Sequence, residues 1–532
     1  MRKLPLGIQN FREIVDGAFV YVDKTQYIFD LIDGAKAYFL SRPRRFGKSL
    51  LIDTIAEAFK GEKELFKGLW IYDSGFAFTK HPVIRLDMSN IPNKTPEVLE
   101  ENLLEELAVC TKREGLEISA TESSTLFKRL IEGLREKYDQ RVVVLIDEYD
   151  KPILDHITDI PTADANRQVL RGFYGILKSM DAHLRFTFIT GVSKFTKTSI
   201  FSGMNHLVDI TMDEKYANIC GIPVDCLEEH FGEHIENLRT NKRFKDHGNL
   251  MESILAWYDG YSWDGETKLL NPFSLLNFLN AKKFSAYWYS SGSPSFLMDL
   301  IKNKPESYIN FKNARIMEPM LDSIKIENIT IEPLLFQTGY LTVKEIPPTI
   351  YAPVFIVDIP NLEVREAFNL HILSALTEND DIHAGWARMD MTEALKAGNL
   401  EKMLEIMRGL FAAIPYNLHI EREAYYHSIF YAIMNVLGLE MDVEASVSKG
   451  RVDAVIELED KVYVMEFKYK KCDPDASGEE KRKLSDAMLK EAMDQINERG
   501  YHKKYIGSGK NIYKAAFAFL GRDDIEMSLE TG

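Results

Sequence analysis

Arg42-Pro43-Arg44-Arg45-Phe46-Gly47-Lys48-Ser49 separates a short apolar run, Ala37-Tyr38-Phe39-Leu40, from an amphipathic stretch that begins Lys48-Ser49-Leu50-Leu51-Ile52 and runs toward Gly61. The run reads as a buried strand and the stretch as a helix, so Gly-Lys-Ser stands at a strand–loop–helix junction. At such a junction the N–H groups of the helix start surround a β-phosphate, a lysine reaches the β/γ oxygens and a hydroxyl ligates magnesium. Arg45, Phe46 and Gly47 are therefore expected to wrap the phosphates, Lys48 to reach their oxygens and Ser49 to take the metal, with ATP as the nucleotide. One departure is plain. The first glycine of GxxxxGK[ST] is replaced by Arg42, and the loop is unusually cationic.

A second run, Val142-Val143-Val144-Leu145-Ile146, is β-branched and aliphatic throughout, as in strands buried in a parallel sheet, and it ends in Asp147-Glu148. Asp147 is expected to hold magnesium through water, and Glu148 to orient and deprotonate the water that attacks the γ-phosphate. A third run, Arg185 to Ile189, ends in Thr190, whose hydroxyl is placed to sense the γ-phosphate.

Near the other terminus, Val452-Asp453-Ala454-Val455 is followed thirteen positions later by Glu466-Phe467-Lys468, each on an alternating run. If the chain turns at Glu459-Asp460, Leu458 faces Lys461 and the same register puts Asp453 opposite Glu466. Glu-Asp is a poor two-residue turn, and a slip of one residue would break the pairing. In register, two carboxylates converge where one divalent cation could sit. Lys468 rejoins Glu466 on that face, near an attacking water or a phosphate. Asp453, Glu466 and the carbonyl of Phe467 would hold magnesium or manganese, and the absence of a His/Cys cluster disfavours zinc. Lys449, Arg451, Lys470 and Lys471 flank the site and could touch DNA phosphates.

Residues 1 to about 365 resemble an AAA-ATPase-like family that carries a C-terminal nuclease domain of the PD-(D/E)XK superfamily. The resemblance rests on Tyr21-Val22-Asp23-Lys24-Thr25, Arg42 to Ser49, Leu145-Ile146-Asp147-Glu148-Tyr149-Asp150, Phe201-Ser202-Gly203-Met204-Asn205 and Ser291-Gly292-Ser293-Pro294-Ser295-Phe296. It implies that the missing glycine is a family habit. It also implies a place near the STAND-type and archaeal P-loop ATPases, which act as switches more than as motors. By the same resemblance Glu423, or Glu421 almost equally, would add a third metal-binding carboxylate from a helix over 421–437. Gln495 with Tyr501 resembles a Gln/Tyr element beside the metal, although the spacing departs from QxxxY.

The implied fold is α/β: a P-loop NTPase with a parallel sheet, an α-rich lid or winged-helix middle region, and an α/β restriction-endonuclease-like domain in the order helix, three strands, helix, strand. The expected domains are a P-loop AAA-ATPase-like domain over 1–215, a lid or winged-helix region over 216–365, a helical connector over 366–415 and a nuclease-like domain over 416–532. Pro415-Tyr416-Asn417 marks the last boundary. In the middle, Trp257 to Tyr261 and Tyr287-Trp288-Tyr289 read as packed aromatic segments, and Gly339 to Val343 as a strand.

Composition sets bounds. A net charge of −16 over 532 residues excludes nucleic-acid binding by bulk electrostatics and leaves local basic contacts. The four cysteines, Cys110, Cys220, Cys226 and Cys472, have neither CxxC spacing nor neighbouring histidines, which points away from a zinc ribbon or disulfide framework and toward a reducing, cytoplasmic compartment. No apolar run approaches the roughly 20 residues that span a bilayer, so no membrane partner is expected. The functional expectation is an ATP-regulated, metal-dependent nuclease acting on DNA, with a homo-oligomer or a protein trigger as partner. The other reading is a nucleotide-dependent switch whose C-terminal domain binds nucleic acid or a partner without cutting.

Overall fold

The computed structural model describes residues 1–195, 200–201, 206–244, 248–288, 314–321, 324, 331–349, 352–377, 381–413, 441–447, 450–470, 476–520 and 524–531. These fall into two compact units, one up to Val364 and one from Arg365 onward.

The first unit is built on a five-stranded sheet: β1 (Ala37–Ser41), β2 (Val83–Asp87), β3 (Val142–Asp147), β4 (Leu184–Gly191) and β5 (Val208–Asp209), in the order β2-β3-β4-β1-β5 and parallel throughout. Every residue of β1 and β3 is buried, which is why both read as continuous apolar runs rather than alternating ones. Helix α1 (Lys48–Lys60) follows β1 directly. Helices α2 (Pro96–Arg113), α3 (Ser123–Tyr138) and α4 (Ile160–Ser179) supply apolar stripes. In α2, capped by the Thr95 hydroxyl, the stripe is Leu99, Leu103, Leu107 and Cys110. Phe127 of α3 stacks on Phe173 of α4, centroids 4.7 Å apart. Because β4 lies between β1 and β3, the acid ending β3 reaches the loop after β1 across the end of β4.

The middle of this unit has the expected helical, aromatic character. The antiparallel pair β6 (Ile222–Pro223) and β7 (Leu269–Leu270) accompanies α5 (Cys226–Arg239), α6 (Leu250–Tyr258) and α7 (Pro272–Ala281), with Phe231, Ile235, Ile254, Tyr258, Leu275 and Phe278 in one core. A three-stranded antiparallel sheet follows: β8 (Ala314–Met317), β9 (Thr342–Glu345) and β10 (Val354–Asp358), ordered β8-β10-β9. β9 begins three residues after Gly339, which takes a φ of +94°. A Cβ there would lie 2.8 Å from Pro43.

The second unit contains α8 (Asp381–Ala397) and α9 (Leu400–Ala412), then a sheet ordered β11-β12-β13-β14-β15. Its strands are β11 (Met441–Val447), β12 (Gly450–Glu457), β13 (Lys461–Lys470), β14 (Asn511–Leu520) and β15 (Asp524–Thr531). β13 and β14 are parallel and the other pairs antiparallel. The parallel pair needs a crossover, which α10 (Gly478–Arg499) provides from a capping box at Ser477 and Glu480. β15 corrects the expected element order, which stopped at β14. Ile525, Met527 and Leu529 alternate with acids and serine along this edge strand, a period-two signal diluted by charge. The predicted helix over 421–437, the Pro415 boundary, Cys472 and the segments 202–205 and 291–296 lie outside the described residues. Among the described residues, no helix is long and apolar enough to cross a membrane.

Candidate nucleotide and metal centres

At the end of β1, Gly47 caps α1 with a φ of +98°, a conformation glycine adopts without steric cost, and no atom lies within 4 Å of where its Cβ would stand. The backbone is thus open toward a ligand at the helix start. The Lys48 ammonium donates to the carbonyls of Arg42 and Pro43, each at 2.9 Å, and so lies folded back over the loop. The Ser49 hydroxyl donates to Asp147 Oδ2 at 2.6 Å, and the Thr190 hydroxyl donates to Asp147 Oδ1 at 2.6 Å. Three predicted residues from three separate segments therefore meet on one carboxylate. A hydroxyl and a carboxylate beside an open N-terminal turn fit magnesium, which keeps most of its waters, and the phosphates of ATP. Glu148 follows with a φ of +49°, its N–H donating to Asp147 Oδ1 at 3.0 Å.

Arg42 occupies the missing glycine's place with its guanidinium spent on protein carbonyls. Its side chain is buried, lies 4.0 Å from the Trp263 ring centroid, and donates to the carbonyls of Ser41, Thr211 and Tyr216. Burial pulls the guanidinium down to about 10. Arg45 lies over the Phe273 ring at 4.1 Å, and Phe46 packs edge-on against Tyr261 and Trp263. The Trp288 indole N–H donates to the Arg44 carbonyl at 3.1 Å. The cationic loop is thus held from behind by aromatic rings, a role its composition did not announce. Arg42→Gly, which restores the consensus residue, is expected to destabilise the first unit by roughly 3–5 kcal/mol through the loss of buried charge-assisted bonds. Denaturant unfolding measures it, and a variant as stable as the wild type would contradict this role.

Asp150 went unremarked in the sequence beyond its place in the Asp147–Asp150 motif. It is buried and accepts the N–H groups of Val192 and Ser193, the latter at 2.6 Å. Burial pushes its carboxyl up to about 7. Tyr149 donates to the Ser193 carbonyl at 3.0 Å. Together they fix the turn that follows Thr190.

In the second unit the hairpin register is the predicted one. Ala454 pairs with Met465, Ile456 with Tyr463, and the Leu458 N–H donates to Lys461 at the turn. Continued one step, this register sets Asp453 against Glu466, and there the ladder stops. The Phe467 N–H donates to Asp453 Oδ2 at 2.9 Å, and the Asp453 N–H donates to Glu466 Oε2 at 3.4 Å. Each carboxylate thus holds the opposite strand's backbone as the strands part. Glu466 is 1 % exposed and pushed up to about 7, first by burial and then by the neighbouring Asp453 charge. A carboxyl raised by burial beside a second carboxylate fits a divalent cation, which would favour its ionised form.

Lys468 Nζ lies 3.7 Å from Glu466 Oε1 and donates to Gln495 Oε1 at 2.8 Å, while the Gln495 amide donates to Glu466 Oε1. Gln495 reaches them from α10 because the β14 residues beside Glu466 and Lys468 are the alanines Ala516 and Ala518. Tyr501, the other half of the predicted element, is buried, and its hydroxyl accepts from Arg499 at 2.8 Å. Arg499 was missed. It exerts an attraction on Asp453 and Glu466 and stands four residues after Gln495, so helical spacing could have found it. Glu423, Glu421, Lys449 and Lys471 lie outside the described residues, and Arg451 and Lys470 stand on β12 and β13.

A family model described as "Predicted AAA-ATPase" matches residues 5–201, and one described as "PD-(D/E)XK nuclease superfamily" matches residues 421–528. A protein of Azotobacter chroococcum mcd 1, described as an uncharacterized protein in the vnfD 5' region, is 34% identical over 525 residues, covering 97% of this chain and 96% of that protein. The chain belongs to the AAA-ATPase-like family with a C-terminal PD-(D/E)XK nuclease superfamily domain. Among solved structures, the Aeropyrum pernix ORC2 protein in its ADPNP-ADP complexes aligns over 54% of this AAA-ATPase-like chain and 71% of its own, at 12% identity and a TM-score of 0.26. That likeness is too loose to bear on function. The two family matches support a nucleotide-dependent nuclease.

Proposed function

We propose that this chain is an ATP-binding, ATP-regulated and metal-dependent nuclease that hydrolyses phosphodiester bonds of DNA. The observation that carries the reading is the mutual hold of Asp453 and Glu466 across the parting strands, with Lys468 beside them. Asp453, Glu466 and the Phe467 carbonyl would hold magnesium or manganese, whose chemistry there is to polarise the phosphate and acidify a bound water. Lys468 orients the nucleophile and offsets charge on the phosphate. Gln495 fixes Lys468 and Glu466 relative to one another. The nucleotide part is assigned to residues 1–215 with 216–365 as a lid, and the nuclease part to 416–532 after a connector over 366–415. A response of the lid to nucleotide is supported by bonds leading from the β4 end within the first unit. The Lys194 N–H donates to Gln337 at 2.7 Å, and Gln337 donates to the Leu321 carbonyl at 3.0 Å. A cytoplasmic cutter gated by nucleotide, as a homo-oligomer or under a protein trigger, suits defence against foreign DNA or the life of a mobile element.

Supercoiled plasmid nicking with magnesium, manganese or chelator, each with and without ATP, tests the reading. Nicking is expected only with metal and at a rate that ATP changes. Cutting in chelator would remove the metal, and indifference to ATP would remove the regulation.

Glu466 gives a pH dependence. Its carboxyl is raised above its ordinary value in the fold, so its contribution to stability is present at low pH. It is lost as pH rises from the ordinary carboxylate range through about 7. The metal-free protein should therefore lose stability across that window, and bound metal should restore it. Below pH 7 the apparent affinity for manganese is expected to weaken by up to about tenfold per pH unit, since binding must displace that proton. Calorimetric titration of wild type and Glu466→Gln checks this, and an equal slope in both would exclude Glu466 as the coupled group.

A further inference from the structure

Lys48 and Trp288 hold successive carbonyls of one loop. The Lys48 ammonium donates to those of Arg42 and Pro43, and the Trp288 indole N–H donates to the next, that of Arg44. When Lys48 extends to phosphate oxygens, as the nucleotide reading requires, the first two carbonyls give up their donor. The loop then has two arrangements, one with its carbonyls on Lys48 and one with them released. Trp288 has little slack to absorb the difference. It is buried, its ring lies edge-on to Tyr340 with centroids 5.2 Å apart, and a Cβ on Gly339 would stand 3.3 Å from the indole and 2.8 Å from Pro43. Interiors packed this closely pass a shift on to the next group.

The next group is Glu363, whose Oε1 accepts the Trp288 backbone N–H at 2.8 Å. Glu363 is buried in the first turn of the helix Leu362–Thr377, a position that favours an acid, and Asn361 Oδ1 caps the same turn by accepting the Val364 N–H at 3.0 Å. That helix starts in the first unit and runs unbroken into residues of the second. One tryptophan thus bonds through its side chain to the phosphate loop and through its backbone to the start of the segment that leads toward the nuclease domain. Resting on the reading of this chain as an ATP-regulated nuclease, we infer that Trp288 and Glu363 are positioning residues of that regulation. The Arg44 carbonyl reports the nucleotide to Trp288, and Glu363 passes the shift of Trp288 to the helix start.

The test measures plasmid nicking with and without saturating ATP, and equilibrium ATP binding beside it, for full-length wild type, Trp288→Phe, Glu363→Ala and Glu363→Gln. Phenylalanine keeps a packed ring and the backbone N–H but loses the indole donor. Trp288→Phe should therefore nick without ATP within about twofold of wild type, bind ATP within about threefold, and change its nicking by no more than about twofold when ATP is added. Glu363→Ala should lose the ATP response likewise, whereas Glu363→Gln keeps an oxygen for the Trp288 N–H and should retain it. An ATP response in Trp288→Phe equal to that of wild type overturns the proposal and leaves the regulation standing. Loss of ATP binding in that variant also overturns it, because Trp288 would then belong to the nucleotide site. A wild type whose nicking is absent or indifferent to ATP removes the reading beneath, and the proposal with it. Should Trp288→Phe fold poorly, the glutamate pair decides, and equal ATP responses in Glu363→Ala and Glu363→Gln overturn the proposal.

Discussion

Asp453→Ala is expected to lower DNA cleavage by roughly three orders of magnitude or more, the loss of several kcal/mol of metal-assisted stabilisation. The carboxylate does two jobs. In the proposed centre it would supply an oxygen for the cation, and it accepts the Phe467 N–H where the β12–β13 ladder ends. Alanine removes both and leaves that N–H without its acceptor, so some loss of stability should accompany the loss of cutting. Asp453→Asn separates the two. The amide oxygen can still accept from Phe467 while the charge is gone, so this variant should unfold like wild type and cut as poorly as the alanine variant. Plasmid nicking and denaturant unfolding of the three proteins decide the matter. Wild-type nicking by Asp453→Ala would remove the proposed centre.

Glu148→Gln should bind ATP normally and turn it over about 10² to 10⁴ times more slowly, the range a positioned general base contributes. The side chain is set by an unusual backbone. A φ of +49° at a non-glycine residue costs about 1–2 kcal/mol, and it follows directly on the Asp147 carboxylate that gathers Ser49 and Thr190. Glu148→Gly would relieve that cost, so it should be at least as stable as wild type and equally slow in turnover. Phosphate release measured beside equilibrium binding tests both variants. Wild-type turnover in Glu148→Gln would take the base role from this residue. A Lys48→Ala protein that nicks DNA normally while turning over no ATP would break the proposed regulation and leave both centres standing.

The strands that carry the chemistry were legible because their apolar runs are long or strictly alternating. The hairpin register was legible in spite of its poor turn, because setting Leu458 against Lys461 is the arrangement that also sets Asp453 against Glu466, whereas burial is equal on both faces of β13 from Val462 to Phe467. Three features were not. Arg42 read as one more cation of the loop, since nothing local announces that Trp263, more than two hundred residues away, lies against it. The positive φ of Glu148 falls directly before Tyr149, whose N–H donates to the Thr190 carbonyl at 3.0 Å, a tertiary contact with no local signature. β15 was hidden because an edge strand with acids on its open face looks like solvated chain.

The hairpin that brings Asp453 and Glu466 together joins residues near in sequence, whereas Gln495 arrives on the crossover between the parallel strands β13 and β14. Short-range closure is fast and long-range parallel pairing is slow. During synthesis the two acids can therefore meet while the amide that tethers Lys468 is still unmade or undocked. The proposed centre gains its lysine tether only once α10 has been made and docked, so a chain halted between β13 and α10 carries both acids without Gln495.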